Sequence, residues 1–224
     1  MNYSLVSIVV MIIIFIFLFI ALYYYYWAPK LNNINTYKIP LLIDETVFTE
    51  DYISTINLET LLSRDNIYIP KLGYGLSFSW EMFIPSQGGN DKWQTNYNHL
   101  KSIIKMGDSP IISYHPKKNY LSITVKYRNN PFYAQFAEVK FKDIKLQVWS
   151  KYIVVIENRN IKLYINGKLV SIKILPSIIV ISTSTKTDII LGEINDNFLG
   201  KIKNLLLIPY PLSDDEIQTL YTIA

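Results

Sequence analysis

Few side chains in this chain are equipped for covalent chemistry. There is no cysteine, and the only histidines are His99 and His115. A thiolate nucleophile, a disulfide framework and a zinc–cysteine site are therefore excluded. The two histidines stand in no metal-ligand spacing. Acid–base catalysis needs two carboxyl groups that converge, about 5 Å apart for glycoside hydrolysis with retention. Asp44-Glu45 and Glu50-Asp51 are adjacent pairs, and neighbours on a strand point to opposite faces. Asp214, Asp215 and Glu216 follow Ser213 in the pattern of a helix cap. No run presents paired acids on one strand face, so the chain is read as non-catalytic.

Two polar groups have the chemistry to bind a ligand. The segment 86–99, SQGGNDKWQTNYNH, is a loop by composition. In it Trp93 and Tyr97 offer rings that stack on sugars, and Asn90 and Asp91 offer bonds to hydroxyls. The alternative places the Trp93 ring against the sheet, since tryptophan is mostly buried. The second group is Asp188, Glu193, Asn195 and Asp196, with Asn197 beside them. Calcium takes six to eight oxygen ligands and would suit such a set. The same residue types also build ordinary turns. No other cofactor is indicated.

These groups need a rigid frame, and the hydrophobic pattern supplies one. LSFSWEMFI, at 76–84, alternates with period two and puts Leu76, Phe78, Trp80 and Met82 on one face. Further strands are predicted at 102–106, 111–114, 120–127, 138–142, 152–157, 161–165, 168–174, 188–191 and 201–209. The segment 38–69 is mixed, with one or two strands and a short helical turn near 58–62. Turn residues separate the strands about every eight to twelve positions, the rhythm of a β-sandwich. In NIKLYINGKLV, Asn166-Gly167 interrupts the alternation and supplies the positive φ angles of a tight hairpin turn. No helical crossover units occur, which excludes a parallel α/β sheet. Ser213 and Glu216 form a capping box for a closing helix, whose Ile217, Leu220 and Tyr221 should dock on the sandwich. Trp80 and Trp149 are both expected in the core.

The N-terminus is of a different character. LVSIVVMIIIFIFLFIAL, at 5–22, is broken only by Ser7. As a helix it would measure about 27 Å, and about 34 Å if extended to Trp27, which matches a bilayer core. Tyr23 to Trp27 form an aromatic belt, and Pro29 stops the helix. A secretory leader would carry a basic start, a shorter core and a small-residue cleavage site, none of which is present. The predicted organisation is a single-pass membrane anchor at 5–27, a tether at 28–36 and a folded domain at 37–224. Lys30 and Lys38 follow the span and no basic side chain precedes it, so the main domain is expected on the cytoplasmic side. The one N-x-S/T site is Asn2-Tyr3-Ser4, outside the folded part.

Composition narrows the partners. Charged residues make up 18% of the 224 residues, below the usual quarter, and the net charge of +4 is dispersed. That is no nucleic-acid footprint. The abundance of Ile, Asn, Lys and Tyr reflects an AT-rich genome, such as that of a protist, an AT-rich bacterium or a large DNA virus, and a viral membrane is one setting for the anchor.

The order of the motifs resembles a known family. LSFSWEMFIP, Trp149-Ser150-Lys151-Tyr152 with VVIE, LYINGKLV, Ile190-Leu191-Gly192, Phe198-Leu199-Gly200-Lys201-Ile202, and Pro211 to Tyr221 follow one another as in laminin-G-like domains of the concanavalin A-like lectin/glucanase superfamily. The resemblance covers about two thirds of the chain, from Gly75 to Tyr221. It implies an all-β fold, a jelly roll of two antiparallel sheets, and a lectin-like capacity to bind glycan or protein. Some relatives carry calcium in loops like 188–197. The glycosidases among them carry a Glu-x-Asp-x-x-Glu strand, and this chain has none. Two functions follow as expectations: a membrane-anchored, non-catalytic module that contacts glycan or protein, or a structural adaptor in a membrane-associated assembly such as a virion.

Overall fold

The computed structural model describes residues 15–19, 22, 41–43, 47–48, 54–57, 75–85, 98–130, 133–181, 188–192 and 200–222. The chain divides into two compact units, Met1–Lys38 and Ile39–Ala224. In the first, 15–19 and Leu22 are helical, with Phe15, Phe17 and Phe19 exposed. Among the described residues no helix is long and apolar enough to cross a membrane. Most of the span predicted at 5–27 lies outside the described residues, as does the helical turn predicted near 58–62.

The second unit is an antiparallel sandwich. Its strands are β1 (Leu41–Ile43), β2 (Val47–Phe48), β3 (Ser54–Asn57), β4 (Leu76–Phe83), β5 (Lys101–Met106), β6 (Ile111–His115), β7 (Tyr120–Asn130), β8 (Tyr133–Lys142), β9 (Ser150–Glu157), β10 (Asn160–Ile165), β11 (Lys168–Ile174), β12 (Ile179–Val180), β13 (Asp188–Leu191) and β14 (Lys201–Ile208). One sheet runs β1-β14-β4-β9-β10-β11, with β2 also on β14. The other runs β12-β7-β6-β5-β13-β3, with β8 also on β7. Helix α1 (Asp214–Thr222) closes the chain.

Alternation decides what each strand buries. Leu76, Phe78, Trp80 and Met82 all face the opposing sheet, as the period-two pattern predicts. On β9, Tyr152, Val154 and Ile156 join them, and Trp80 stacks on Tyr152 with centroids 5.6 Å apart. From the second sheet come Ile112, Tyr114, Leu121, Ile123 and Val125. Removing such side chains from water supplies about 1.5–3 kcal/mol each, which drives the sheets together.

A second apolar cluster lies on the outer face of the first sheet. Ile153, Val155, Tyr164 and Ile208 meet Leu212 and Ile217 of the closing segment there. The capping box is in place: the Ser213 N–H donates to Glu216 Oε2 at 2.8 Å, and the Glu216 N–H reaches Ser213 Oγ at 3.4 Å. Tyr164 Oη donates to Asp214 Oδ1 at 2.5 Å and ties β10 to the first turn of α1.

The Asn166-Gly167 turn has φ values of 50° and 74°, as its sequence predicts. Its position is set by α1. A Cβ on Gly167 would stand 3.1 Å from the Tyr221 ring, and Gln218 Nε2 donates to the Gly167 carbonyl. At the other end of the sheet, Gly75 has φ 110°, and a Cβ there would strike the Ile156 carbonyl oxygen.

The structure differs from the prediction at one ring and several strands, among them the two-residue β12, which the sequence pattern does not mark. β8 begins at Tyr133, five residues before the predicted start at 138, because exposed Tyr133 and Phe136 do not mark a buried face. Three short strands, β1 to β3, stand where one or two were predicted. Trp149, expected in the core, is exposed on the outer face of the first sheet, whereas Trp80 is fully buried.

Candidate functional site

The exposed Trp149 opens the candidate face. Strands β9, β4 and β14 lie side by side, and their odd-numbered residues point outward at the end of the sheet away from Gly75. Trp149 stands one residue before β9. Its ring packs on Phe83 with centroids 5.7 Å apart, and Phe83 pairs across the sheet with Lys201. In the next row Glu81 sits between Lys151 and Lys203. Adjacent strands are about 4.8 Å apart, so each row of three spans about 10 Å, the length of a disaccharide-sized contact.

The backbone at this end is shaped to hold that row. Gln147 adopts φ 59°, and its N–H donates to the Ile84 carbonyl at 2.7 Å. This pins the loop that leads into Trp149 to the end of β4. On β14 the register shifts between Lys203 and Leu206, and Asn204 adopts φ 51°. The shift is a β-bulge, and asparagine tolerates its left-handed backbone better than most residues. The bulge turns the Asn204 amide back over the sheet, where Nδ2 donates to Glu81 Oε1 at 2.8 Å.

Electrostatics then fix each group. Lys203 Nζ lies 3.0 Å from Glu81 Oε2, so both carboxylate oxygens are engaged. Burial raises the Glu81 pKa, but the Asn204 and Lys203 hydrogen bonds and the charges of Lys203 and Lys151 outweigh it, and the net shift is downward. Lys203 Nζ also sits 5.0 Å from the Trp149 ring centroid, and Lys201 Nζ sits 6.0 Å from that of Phe83. Both distances suit cation–π attraction. Lys151 is buried, and its Nζ donates to the Leu220 carbonyl at 2.7 Å, a cation at a helix C-terminus. Burial lowers its pKa, and Glu81 opposes that shift.

The outer face of the second sheet has another character. Ser102, Ser113 and Ser122 stand in register across β5, β6 and β7. Ser122 Oγ donates to Glu138 Oε1 at 2.8 Å, and Lys140 pairs with Glu138 at 2.8 Å. His115 packs on Tyr120 with centroids 4.9 Å apart, and burial followed by the nearby Lys118 charge lowers its pKa. Glu138 and Glu81 point away from each other on opposite outer faces, so the thickness of the sandwich keeps them from acting as a pair.

The residues singled out in the sequence fare differently. Asn90, Asp91, Trp93 and Tyr97 lie outside the described residues, and so do Glu193, Asn195, Asp196 and Asn197. Asp188 begins β13, and its carbonyl accepts from the Gly107 N–H at 3.0 Å. Among the described residues no three His, Asp or Glu side chains converge on a metal-sized space. Sequence reasoning missed Trp149, Lys203 and Asn204. The signal for Trp149 was parity: it shares odd numbering with Lys151, which lies on the outer face.

Fold and face together define a two-sheet, lectin-type β-sandwich with an aromatic, cationic outer surface. The chain belongs to the concanavalin A-like lectin/glucanases superfamily, whose laminin G family matches residues 64–218. No curated protein matches the chain. Among solved structures it is similar to the botulinum neurotoxin serotype G binding domain, at 19% identity and TM-score 0.56, covering 84% of this chain and 47% of that one. It is also similar to the receptor binding domain of botulinum neurotoxin D, at 14% identity and TM-score 0.56, over 83% and 46%. The binding domain of botulinum neurotoxin DC in complex with rat synaptotagmin II follows at 16% identity and TM-score 0.52, over 84% and 48%. The chain thus spans about half the length of these domains, and the likeness is one of fold.

Proposed function

We propose that this protein is a membrane-anchored, non-catalytic binding module of lectin-like fold that contacts glycan or protein. The observation that carries the reading is Trp149, an indole 36% exposed on a rigid sheet face among lysines and a fixed carboxylate. Exposed aromatics with a few placed polar groups are the usual make-up of a binding surface. The neighbouring folds are binding domains, one of them in complex with rat synaptotagmin II, which supports recognition over catalysis. The segment bearing Asn90, Asp91, Trp93 and Tyr97 follows β4 in the sequence and is proposed as a further contact. Calcium at Glu193, Asn195 and Asp196 with Asp188 is the proposed cofactor. The apolar segment 5–27 is the proposed anchor, with the sandwich on the cytoplasmic side and a viral membrane as one possible setting.

A glycan array probed with the unit Ile39–Ala224, with calcium and with chelator, tests this reading. The expected result is selective binding that Trp93→Ala or Trp149→Ala reduces at least about tenfold, a loss of about 1.4 kcal/mol. A folded unit that binds no glycan and captures no protein from a membrane extract overturns it. The adaptor reading has one specific observation in its favour. β11 ends the first sheet, and its Leu169, Val170, Ile172 and Ile174 are all exposed. An apolar edge strand of this kind suits lateral assembly.

A further inference from the structure

We propose that the corner of the sandwich where the chain crosses from β11 to β12 is a docking surface for an anionic lipid bilayer. Ile172, Ile174 and Ile178 enter the headgroup layer, and Arg128, Arg159 and Lys173 meet its acidic groups. The inference rests on the anchor part of the reading above, which supplies the bilayer, and adds a second, reversible contact made by the folded unit.

The backbone builds the corner. β11 ends at Ile174, and the Leu175 N–H donates to the Arg159 carbonyl at 2.8 Å. The Ile179 N–H donates to the Asn158 carbonyl at 2.8 Å, and the Arg128 N–H to the Ile178 carbonyl at 3.1 Å. Leu175 and Ile179 turn into the core. Ile174 and Ile178 stay in solvent, 65% and 53% exposed. Ile172 is exposed too and shares the face of Ile174, two positions along the same strand. Large apolar side chains gathered outside the core mark a contact surface.

The charge around them has one sign. Between Glu157 and Asp188 the sequence holds no acid, while Arg159, Lys162, Lys168, Lys173 and Lys186 all fall there. Glu157 is answered by Lys162 at 3.4 Å. Among the described residues Arg128, Arg159 and Lys173 are exposed and stand in no ion pair. The acids of α1 begin at Asp214, which is bonded to Tyr164, and Tyr164 pairs with Leu169 at the other end of β11 from Ile174.

The edge itself argues against a second copy as the occupant. β11 carries a bulge at Val170, where the register shifts between Leu163 and Tyr164. Its Lys168 and Lys173 share the inner side with Ile165 and Ile161. Bulges and inward-pointing charges are devices that keep edge strands from pairing. Two copies meeting here would also set cations against cations. An anionic bilayer answers both components. Its headgroups pair with the cations, whose long stems lie along apolar surface, and the isoleucines reach the acyl boundary. The contact is shallow, because the unpaired backbone of an edge strand cannot enter hydrocarbon.

The test places a fluorophore on this corner of the full chain. The sequence has no cysteine, so Ile174→Cys carries a single NBD label, and Lys145→Cys, exposed in the loop before β9, is the control. The protein is reconstituted in vesicles of phosphatidylcholine, alone or with about 30% phosphatidylserine, and flotation reports its association. The label at 174 is expected to shift to the blue and to be quenched by doxyl-labelled lipid in the anionic vesicles, at least about threefold more than in neutral vesicles or at high salt. The label at 145 is expected to stay open to aqueous iodide throughout. Arg159→Gln with Lys173→Gln is expected to abolish the preference for anionic vesicles, with tryptophan emission unchanged as the sign of an intact fold. A chain that floats while its label at 174 escapes lipid quencher overturns the inference and leaves the anchor reading standing. Equal quenching in neutral and anionic vesicles overturns the lipid class. Protection from iodide that grows with the protein-to-lipid ratio, without lipid quenching, assigns the corner to a second copy and overturns the inference as well. A chain that floats only with anionic vesicles and is released by salt supports the inference and overturns the anchor. A chain that floats with neither overturns both.

Discussion

Trp80 and Trp149 carry the same side chain and have opposite fates. Trp80 is wholly buried and stacked on Tyr152, while Trp149 lies on the outside beside Phe83 and Lys203. The fate of each is set by its parity along β4 or β9. β9 hides that parity, because Ile153 and Val155 on its outer face are as apolar as Val154 and Ile156 on its inner face. Glu81 gives this face a measurable signature. Its pKa lies below the ordinary 4.5. A depressed carboxylate stabilises the fold above its unfolded pKa, and that contribution is lost as pH falls through the folded value. Urea midpoints of the wild-type protein should therefore drop between pH 5 and more acidic conditions more steeply than those of Glu81→Gln. A variant with the same pH slope as the wild type would show that Asn204 and Lys203 do not hold the carboxylate.

Helix α1 and the β10–β11 hairpin show what local sequence reveals and what it conceals. The capping box and the Asn166-Gly167 turn were legible because each is a contact between residues a few positions apart. The surface on which α1 docks was not, because Tyr164–Asp214 and Gly167–Tyr221 join residues that are neighbours only in the folded chain. The start of β8 was missed for a similar reason: its first residues are held by pairing with β7, not by a buried face. Two substitutions probe the docking. Tyr164→Phe removes the hydrogen bond to Asp214 and should cost about 1 kcal/mol in chemical denaturation. Gly167→Ala places a methyl against the Tyr221 ring at a φ of 74°, and should cost about 2 kcal/mol. If Gly167→Ala proves neutral, the turn is free of the helix and α1 is not what positions it.

The fold class was legible over most of the second unit because the jelly roll repeats one signal, strand after strand, and the motifs follow one another in the order of the family. The described core lies within one of the two units. That core draws on β4 to β10 and β12 to β14, and every one of those strands lies within Ile39–Ala224, one compact unit. A chain of this length is well within the usual size of an independently folding domain. Deleting Met1–Lys38 should therefore leave the thermal unfolding midpoint within about 2 °C of the full chain in micelles, a change worth less than about 1 kcal/mol. The same deletion should abolish retention in the membrane pellet after alkaline carbonate extraction, because 5–22 is the one long, nearly unbroken apolar run in the sequence. A truncated protein that stays in the pellet would assign membrane contact to the sandwich itself, and the exposed apolar edge at β11 would become the first surface to mutate. A truncated protein that fails to fold would mean that the first unit completes the core.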